Sequence, residues 1–219
     1  MSNASAPPRP TVRPLPAKPR RKAESTEARA PLTPDTWIEA ATEVLVDQGI
    51  DHVRVDVLAG QLKVTRGSFY WHFRDREELL RAVLQAWRES ATEALTSRLE
   101  KAHADPREQL RDVLSLPFRG RAALRAARIE LAIRAWARRD NMARSAVDEA
   151  DASRRAYIAQ LFSALGFPVL EARSRAFLLY AYLVAESLMS TQGAASERAE
   201  RARFVEQLIG LPLKAGKGA

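Results

Sequence analysis

Cysteine is absent from the 219-residue sequence, which excludes disulfide bonds, thiolate metal sites and cysteine nucleophiles. No apolar run reaches the roughly 20 residues that a membrane-spanning helix needs, and the first residues lack the apolar core of a signal peptide. The three histidines, His52, His72 and His103, show no metal-ligand spacing, and no Gly-rich phosphate loop or nucleophile motif is present. We therefore expect a soluble cytoplasmic protein with no membrane partner, no metal, no cofactor and no enzymatic activity.

Glycine is also scarce, with nine residues, whereas stretches rich in Ala, Leu and Arg are common. Such a composition favours helices, and no stretch shows the sustained alternation of a strand. Apolar residues at helical spacing, capping residues and Gly or Pro breaks together delimit about nine helices. The predicted helices span about residues 34–48, 54–62, 65–73, 76–103, 106–114, 121–137, 142–164, 170–190 and 197–209. The predicted fold class is therefore all-α.

The formal net charge of +8 at pH 7 favours a nucleic acid as partner. Residues 1–31 contribute seven basic and two acidic side chains, several prolines and almost no large apolar residue. A segment of this kind cannot bury enough apolar surface to order itself, so we expect a disordered basic tail. It serves either as a solubilising tail or as an arm that contacts DNA through Arg20, Arg21 and Lys22.

A short aromatic and basic segment, "KVTRGSFYWHFR", occupies residues 63–74 within an otherwise acidic region. The helix before it, a tight connection and a short third helix predict a helix-turn-helix over about residues 54–73. On a helical wheel Phe69 and Phe73 share one side of the third helix, so we expect both rings to pack inward.

The opposite arc of the third helix has the chemistry of a DNA-reading surface. Arg66 can make a bidentate contact to guanine, and Gly67 lets the backbone approach base edges. Tyr70 and Trp71 offer a hydroxyl and an indole N–H together with apolar area. In the alternative interpretation the segment is a packed helical hairpin whose aromatic side chains all belong to the core.

The longer stretch "VDVLAGQLKVTRGSFYWHFRDREELLRAVL" closely resembles the DNA-binding region of TetR-type regulators. The resemblance covers about residues 34–90 and implies a homodimer on double-stranded DNA, with a helical effector domain that a small molecule controls. Lys63 and Arg54 depart from the Gly and the Ser or Thr that are common in the family, and both are included in the predicted surface. The predicted DNA-binding residues are Arg54, Lys63, Thr65, Arg66, Gly67, Tyr70, Trp71, His72 and Arg76.

Residues 92–219 are predicted to form a helical bundle for effector binding and dimerisation, after a DNA-binding domain at residues 32–91. Aromatic side chains at helical spacing are more often core than ligand contacts. Glu130 and Arg134, four residues apart, are expected to form a stabilising surface pair, with a pocket role for Arg134 as the second possibility. The candidate pocket residues are Trp87, Phe118, Trp136, Tyr157, Phe162, Phe177 and Tyr180.

The run "RAFLLYAYLVAESLMS" is apolar nearly all round yet too short to span a membrane, which favours burial against a second subunit. The resemblance also implies dimerisation through the last two long helices as a four-helix bundle. Glu186 is the lone carboxylate in the run and should have a partner such as an arginine. The candidate interface residues are Phe177, Tyr182, Glu186, Phe204 and Leu208.

The sequence predicts a sequence-specific transcriptional regulator, and the resemblance implies that it is a ligand-released repressor that binds a pseudo-palindromic operator as a dimer. The alternative is a nonspecific or architectural DNA-binding protein that uses the basic tail. A regulator prefers one site, whereas a coating protein binds all sequences alike with steep salt dependence.

Overall fold

A computed structural model of the chain describes residues 32–118, 120–189 and 193–210. All regular structure in these ranges is helical, which confirms the predicted all-α class. The tail predicted for residues 1–31 lies outside the described residues, and so does the side chain of Phe118. No helix among the described residues combines the length and the apolarity needed to cross a membrane.

The predicted helices are all present, and their ends lie close to the expected positions except in the third helix, which ends at Phe69 and not near residue 73. Residues Glu89–Glu93 form a π-helical turn, the π turn, that joins α4 to α5 without a break. The described chain therefore has nine separate helical stretches besides the short 3₁₀ turns Ile50–His52 and Leu116–Phe118. The helices are α1 Pro34–Gln48, α2 Val55–Leu62, α3 Arg66–Phe69, α4 Arg76–Arg88, α5 Ala94–Ala102, α6 Pro106–Ser115, α7 Gly120–Ala137, α8 Asn141–Ala164, α9 Val169–Leu188 and α10 Ala195–Gly210.

Side-chain caps fix the starts of several helices. The Thr33 hydroxyl accepts a hydrogen bond from the Thr36 backbone N–H at the start of α1. Asp75 Oδ1 accepts from the Glu78 N–H at 2.8 Å, while Glu78 Oε2 accepts from the N–H of Arg74, one residue before the cap. Thr65 occupies the N-cap position of α3, but its side chain makes no capping hydrogen bond there. Such caps satisfy backbone donors that a helix start leaves open.

Two hydrophobic cores lie within the compact unit Leu32–Ala219. The first core combines apolar residues of α1 to α4 with the end of α7 and the first half of α8. The second core combines α5 and α6 with the second half of α8, α9 and the end of α10. The π turn lies where the long α4–α5 helix passes from one core to the other.

Contacts between aromatic rings pack α3 against α1 on the side of α3 that faces away from solvent. Phe69 is fully buried, and its ring centroid lies 5.3 Å from that of Trp37 in an edge-to-face arrangement. The Phe73 ring stacks on Phe69 at 5.6 Å. Tyr70 and Trp71 remain 57% and 88% exposed, which confirms the predicted division of the aromatic side chains and excludes the packed hairpin.

Phe69→Ala should lower the free energy of unfolding by about 3–5 kcal/mol, because it opens a cavity against Trp37. The matched control is Tyr70→Ala, which truncates the exposed neighbouring ring and should cost less than about 1.5 kcal/mol. Urea unfolding followed by circular dichroism measures both values. Equal costs for the two variants would contradict the inward packing of Phe69.

Candidate nucleic-acid interface and ligand cavity

The connection between α2 and α3 is a tight turn through a left-handed residue. Lys63 has φ 54° and ψ 46°, and it is the one non-glycine residue with positive φ among the described residues. The N–H groups of Lys63 and Val64 donate to the carbonyls of Gly60 and Ala59, at 3.1 and 2.9 Å. A side chain in this conformation costs about 1–2 kcal/mol. Lys63, which stands where the family that the sequence resembles often has glycine, therefore lies at the position where the backbone is left-handed.

Thr65, Arg66, Gly67, Tyr70 and Trp71, here called the reading surface, are all solvent-exposed, and His72 is half-buried. Arg66 forms no ion pair with any residue in the described ranges, so its guanidinium is available to a partner. A Cβ added to Gly67 would meet only the Thr65 hydroxyl, at an ordinary 3.7 Å. The fold therefore does not require glycine at this position, although a close partner surface would.

The other predicted cations are engaged within the chain. The Arg76 guanidinium donates to the carbonyls of Val53 and of Ile50, the latter at 2.8 Å, and so joins the start of α4 to the connection between α1 and α2. Arg54 pairs with Asp56 at 2.5 Å on the surface. These contacts show that Arg76 fixes the start of α4 relative to the connection between α1 and α2. A DNA contact by Arg76 or Arg54 stays a prediction.

A cavity of about 390 Å³ lies between the π turn, α5, α6, α7, α8 and α9. Two predicted pocket residues, Tyr157 and Tyr180, line it. Trp87 and Trp136 do not line this cavity because both are buried in the first core. Phe162 is buried in the second core, and Phe177 is exposed on α9.

One end of the cavity is polar, and its side chains form what we call the polar network. Its members are Thr92, Glu130, Arg134, Asp151, Arg154 and Tyr180.

Arg134 holds the network on the side of α7 and α8. Its guanidinium makes a two-pronged contact with Asp151, at 3.1 and 2.5 Å, and its Nε donates to Glu130 at 2.8 Å. Glu130 and Arg134 do pair as predicted, but the pair is largely shielded from solvent, so its assignment to the surface was wrong. The reason is that α8 and α9 cover this part of α7.

Arg154 holds the other side of the network. Its guanidinium donates to both oxygens of Glu130, at 3.1 and 3.2 Å, and its Nε donates to the Thr92 hydroxyl at 3.1 Å. It also lies 5.4 Å from the centre of the Trp87 ring, a cation–π distance. Sequence reasoning missed Thr92, Asp151 and Arg154; polar residues at positions 151 and 154, interrupting the apolar face of α8, were the available signal.

The contacts within the network shift the pKa values of several of its members. Burial would raise the pKa of Asp151, but hydrogen bonds from Arg134 and Tyr180 outweigh it and lower that pKa below the ordinary value. Burial likewise opposes the charge of Arg134, yet the Asp151 hydrogen bond and the Glu130 charge raise its pKa. Burial raises the pKa of Tyr180 to about 12, assisted by Asp151 and opposed by Arg154. Tyr180 thus keeps its proton and donates to Asp151 at 2.6 Å.

The candidate interface residues lie on α9 and α10. The Glu186 carboxylate is buried and accepts from Arg201 Nε at 2.8 Å, so the predicted arginine partner is Arg201. Phe177, Phe204 and Leu208 are exposed, whereas Tyr182 is half-buried. No group of three or more potential metal ligands occurs in the described part of the chain.

Comparison with known proteins gives one family match within the amino-terminal half and relatives that match part of the chain. Residues 38–83 match the family model described as bacterial regulatory proteins, tetR family. The HTH-type transcriptional regulator SrpR of Pseudomonas putida is 45% identical over 62 residues, which cover 28% of this chain and 29% of SrpR. The tetracycline repressor protein class A from transposon 1721 of Escherichia coli is 40% identical over 55 residues, covering 25% and 26%. The chain thus spans less than a third of the length of either relative.

The likeness extends further in structure than in sequence. A transcriptional regulator from Rhodococcus sp. Rha1 superposes with a TM-score of 0.64 over 81% of this chain and 94% of that one, at 20% identity. At this identity the match supports the fold, including the helices that build the cavity. The expectation of a protein without enzymatic activity agrees with the relatives, since each is named as a regulator or a repressor.

Asp151→Asn should lower the free energy of unfolding at pH 7 by about 2 kcal/mol, a value between those of exposed and fully buried ion pairs. Because the folded-state pKa of Asp151 is lowered, its contribution is present above the unfolded pKa of about 3.9 and is lost as pH falls further. Urea unfolding at several pH values should show the difference between parent and variant closing below about pH 4.

The matched control is Asp148→Asn, an exposed carboxylate one turn earlier on α8. It should leave stability within about 0.5 kcal/mol of the parent at every pH. A difference for Asp151→Asn that persists unchanged at pH 3 would mean that its charge is not what stabilises the network.

Proposed function

We propose, on the match of residues 38–83 to the tetR family model, that the chain is a TetR-type regulator that represses transcription by binding a pseudo-palindromic operator as a homodimer. A small molecule in the cavity releases it from DNA. Residues 32–91 form the DNA-binding domain in this proposal, residues 92–219 form the effector and dimerisation domain, and the protein acts in the bacterial cytoplasm. The name of the tetracycline repressor among its relatives favours repression over activation.

The exposure of the reading surface carries the proposal. Trp71 stands 88% exposed beside Tyr70 in the turn that follows α3, and the opposite side of α3 is buried against Trp37 through Phe69. Large exposed aromatic side chains mark interaction surfaces, and an unpaired arginine at a helix start suits a guanine edge or a phosphate. Arg66 supplies that arginine. We therefore assign α3 to the major groove of DNA.

An apolar surface on α9 and α10 supports the homodimer. Phe177 and Leu178 are exposed on α9, and Phe204 and Leu208 are exposed on α10. The Glu186–Arg201 pair ties the two helices together, so they can present one surface to a second copy. A twofold axis at this surface would set two α3 helices apart by a fixed distance, as two half-sites about one DNA turn apart require.

The position of α7 supports ligand control. One of its sides lines the cavity through Ala123 and Ala127. Another side forms ion pairs with α1, in which Arg125 contacts Glu39 and Arg128 contacts Asp47. A ligand that shifts α7 therefore acts on the helix that carries Trp37, and it weakens DNA binding only as far as it prefers the shifted state.

Selection of bound sequences from a pool of random duplexes tests the function with purified protein. A regulator enriches one pseudo-palindromic site and binds it at least about a thousand-fold more tightly than unrelated DNA. Enrichment of no sequence, together with a steep salt dependence on every duplex, would instead identify the nonspecific architectural protein.

Arg66→Ala should relax base preference at one position in each half-site and weaken binding to the selected duplex by about 1–3 kcal/mol. The matched control is Arg107→Ala, an exposed arginine at the start of α6, outside the reading surface. Fluorescence anisotropy with labelled duplexes measures both affinities. Parent-like binding by Arg66→Ala would remove this arginine from the DNA contact.

Phe204→Glu should convert the dimer into a monomer, because it places a charge in the apolar surface of α10. Leu124→Glu on α7 is the matched control, since Leu124 is 50% exposed against 63% for Phe204 but lies outside the proposed interface. Analytical ultracentrifugation should give the 24.4 kDa chain mass for the first variant and twice that mass for the second and for the parent. A parent that sediments as a monomer would refute the proposed assembly.

A further inference from the structure

The walls of the cavity are hydrocarbon for most of its length. Small side chains on α7 create the space, and Leu95, Leu99 and Val113 face them from α5 and α6. A volume of about 390 Å³ suits a molecule of drug size. The alanines that line the α7 wall are Ala122, Ala123, Ala126 and Ala127.

The polar end of the cavity is already electrically neutral. Two arginines face two carboxylates, and Glu130 accepts hydrogen bonds from both Arg134 and Arg154. Asp151 accepts from Arg134 and from Tyr180. No charged group of the network is left without an opposite charge, so the polar end of the cavity does not call for a charged ligand.

We propose that the effector is an uncharged and mainly hydrocarbon molecule with one hydrogen-bonding group, and that this group meets the polar network. A carboxylate would have to displace Glu130 or Asp151 from an arginine, and an ammonium group would have to displace Arg154 from Glu130 and from the face of Trp87. Either ion would otherwise lie unpaired among apolar side chains, which is costly. The Tyr180 hydroxyl is fully engaged, because it donates to Asp151 and accepts from Arg134 and Arg154. The Thr92 hydroxyl accepts from Arg154 Nε and can donate its own proton, so a hydroxyl or carbonyl oxygen of the ligand can bind there without breaking an ion pair.

Arg98 is the remaining charged side chain that lines the cavity, and it is the position an anionic ligand would use. It lies on α5 and is solvent-exposed, whereas the network arginines are not. Water and salt screen an exposed charge, so its attraction for an anion is weak. The inference depends on the proposed function for its regulatory meaning, while the preference of the cavity for uncharged molecules can be measured alone.

The test uses three probes that share one hydrocarbon frame: 4-phenylphenol, biphenyl-4-carboxylate and biphenyl-4-ylmethylammonium. Isothermal titration calorimetry of the full chain without DNA should show the phenol binding at least about ten-fold more tightly than either ion. Ala127→Phe should abolish this binding by filling the cavity, and Ala123→Phe provides a second variant if the first folds poorly. Ala135→Phe on the exposed side of α7 is the matched control and should bind like the parent.

The inference would be overturned if the carboxylate probe bound more tightly than the other two and Arg98→Ala reduced that binding. It would also be overturned if the ammonium probe bound most tightly. Failure of all three probes to bind the parent would overturn it equally. Anisotropy with the selected duplex, measured on the same preparation, separates this result from the proposed function. A chain that binds its duplex but prefers a charged probe remains a regulator with a different effector, whereas a chain that binds no specific duplex loses the function whatever the probes show.

Discussion

The edge-to-face contact between Trp37 and Phe69 sets the direction in which the protein can present its DNA-contacting side chains. The third helix, Arg66–Phe69, is a single turn, and a single turn has no stability of its own in water. Its orientation therefore comes from α1, through rings that are buried on the side away from solvent. Tyr70 and Trp71 are held outward because the neighbouring Phe69 and Phe73 cannot turn away from the core.

Local patterns were sufficient to predict the helices and the inward position of Phe69 and Phe73, because helical spacing and capping act over a few residues. The sequence predicted one regular helix over residues 76–103, but the π turn inserts an extra residue, so Thr92 is buried while Ala91 stays partly buried against the first core. No spacing rule applied to a regular helix can anticipate that extra residue. The polar network escaped prediction for a different reason, since it depends on how α7, α8 and α9 meet, and only the pair Glu130–Arg134 is local in sequence.

The network occupies the place where the two hydrophobic cores meet. Arg154 lies over Trp87 of the first core, and Tyr157, three residues later on α8, belongs to the second. Replacing such a cluster by apolar side chains is often neutral or stabilising, so its presence is not explained by stability alone. A charged cluster accepts only a few geometries, and we infer that it fixes how α8 passes from one core to the other while leaving the adjacent space open.

The first core is completed by residues of α7 and α8, and this order along the chain has a consequence for biosynthesis. The residues are Ile133, Trp136, Ala143 and Val147. These residues leave the ribosome after the DNA-binding helices, and the roughly 60 residues between Arg88 and Val147 take about 3–12 s to synthesise at typical rates. During that interval α1 and α4 are complete, but the parts of their apolar sides that pack on α7 and α8 are uncovered. A nascent chain that stalls before α8 therefore displays the kind of surface that chaperones and proteases bind, and helices α1 to α4 reach their final packing only after α8 has been made.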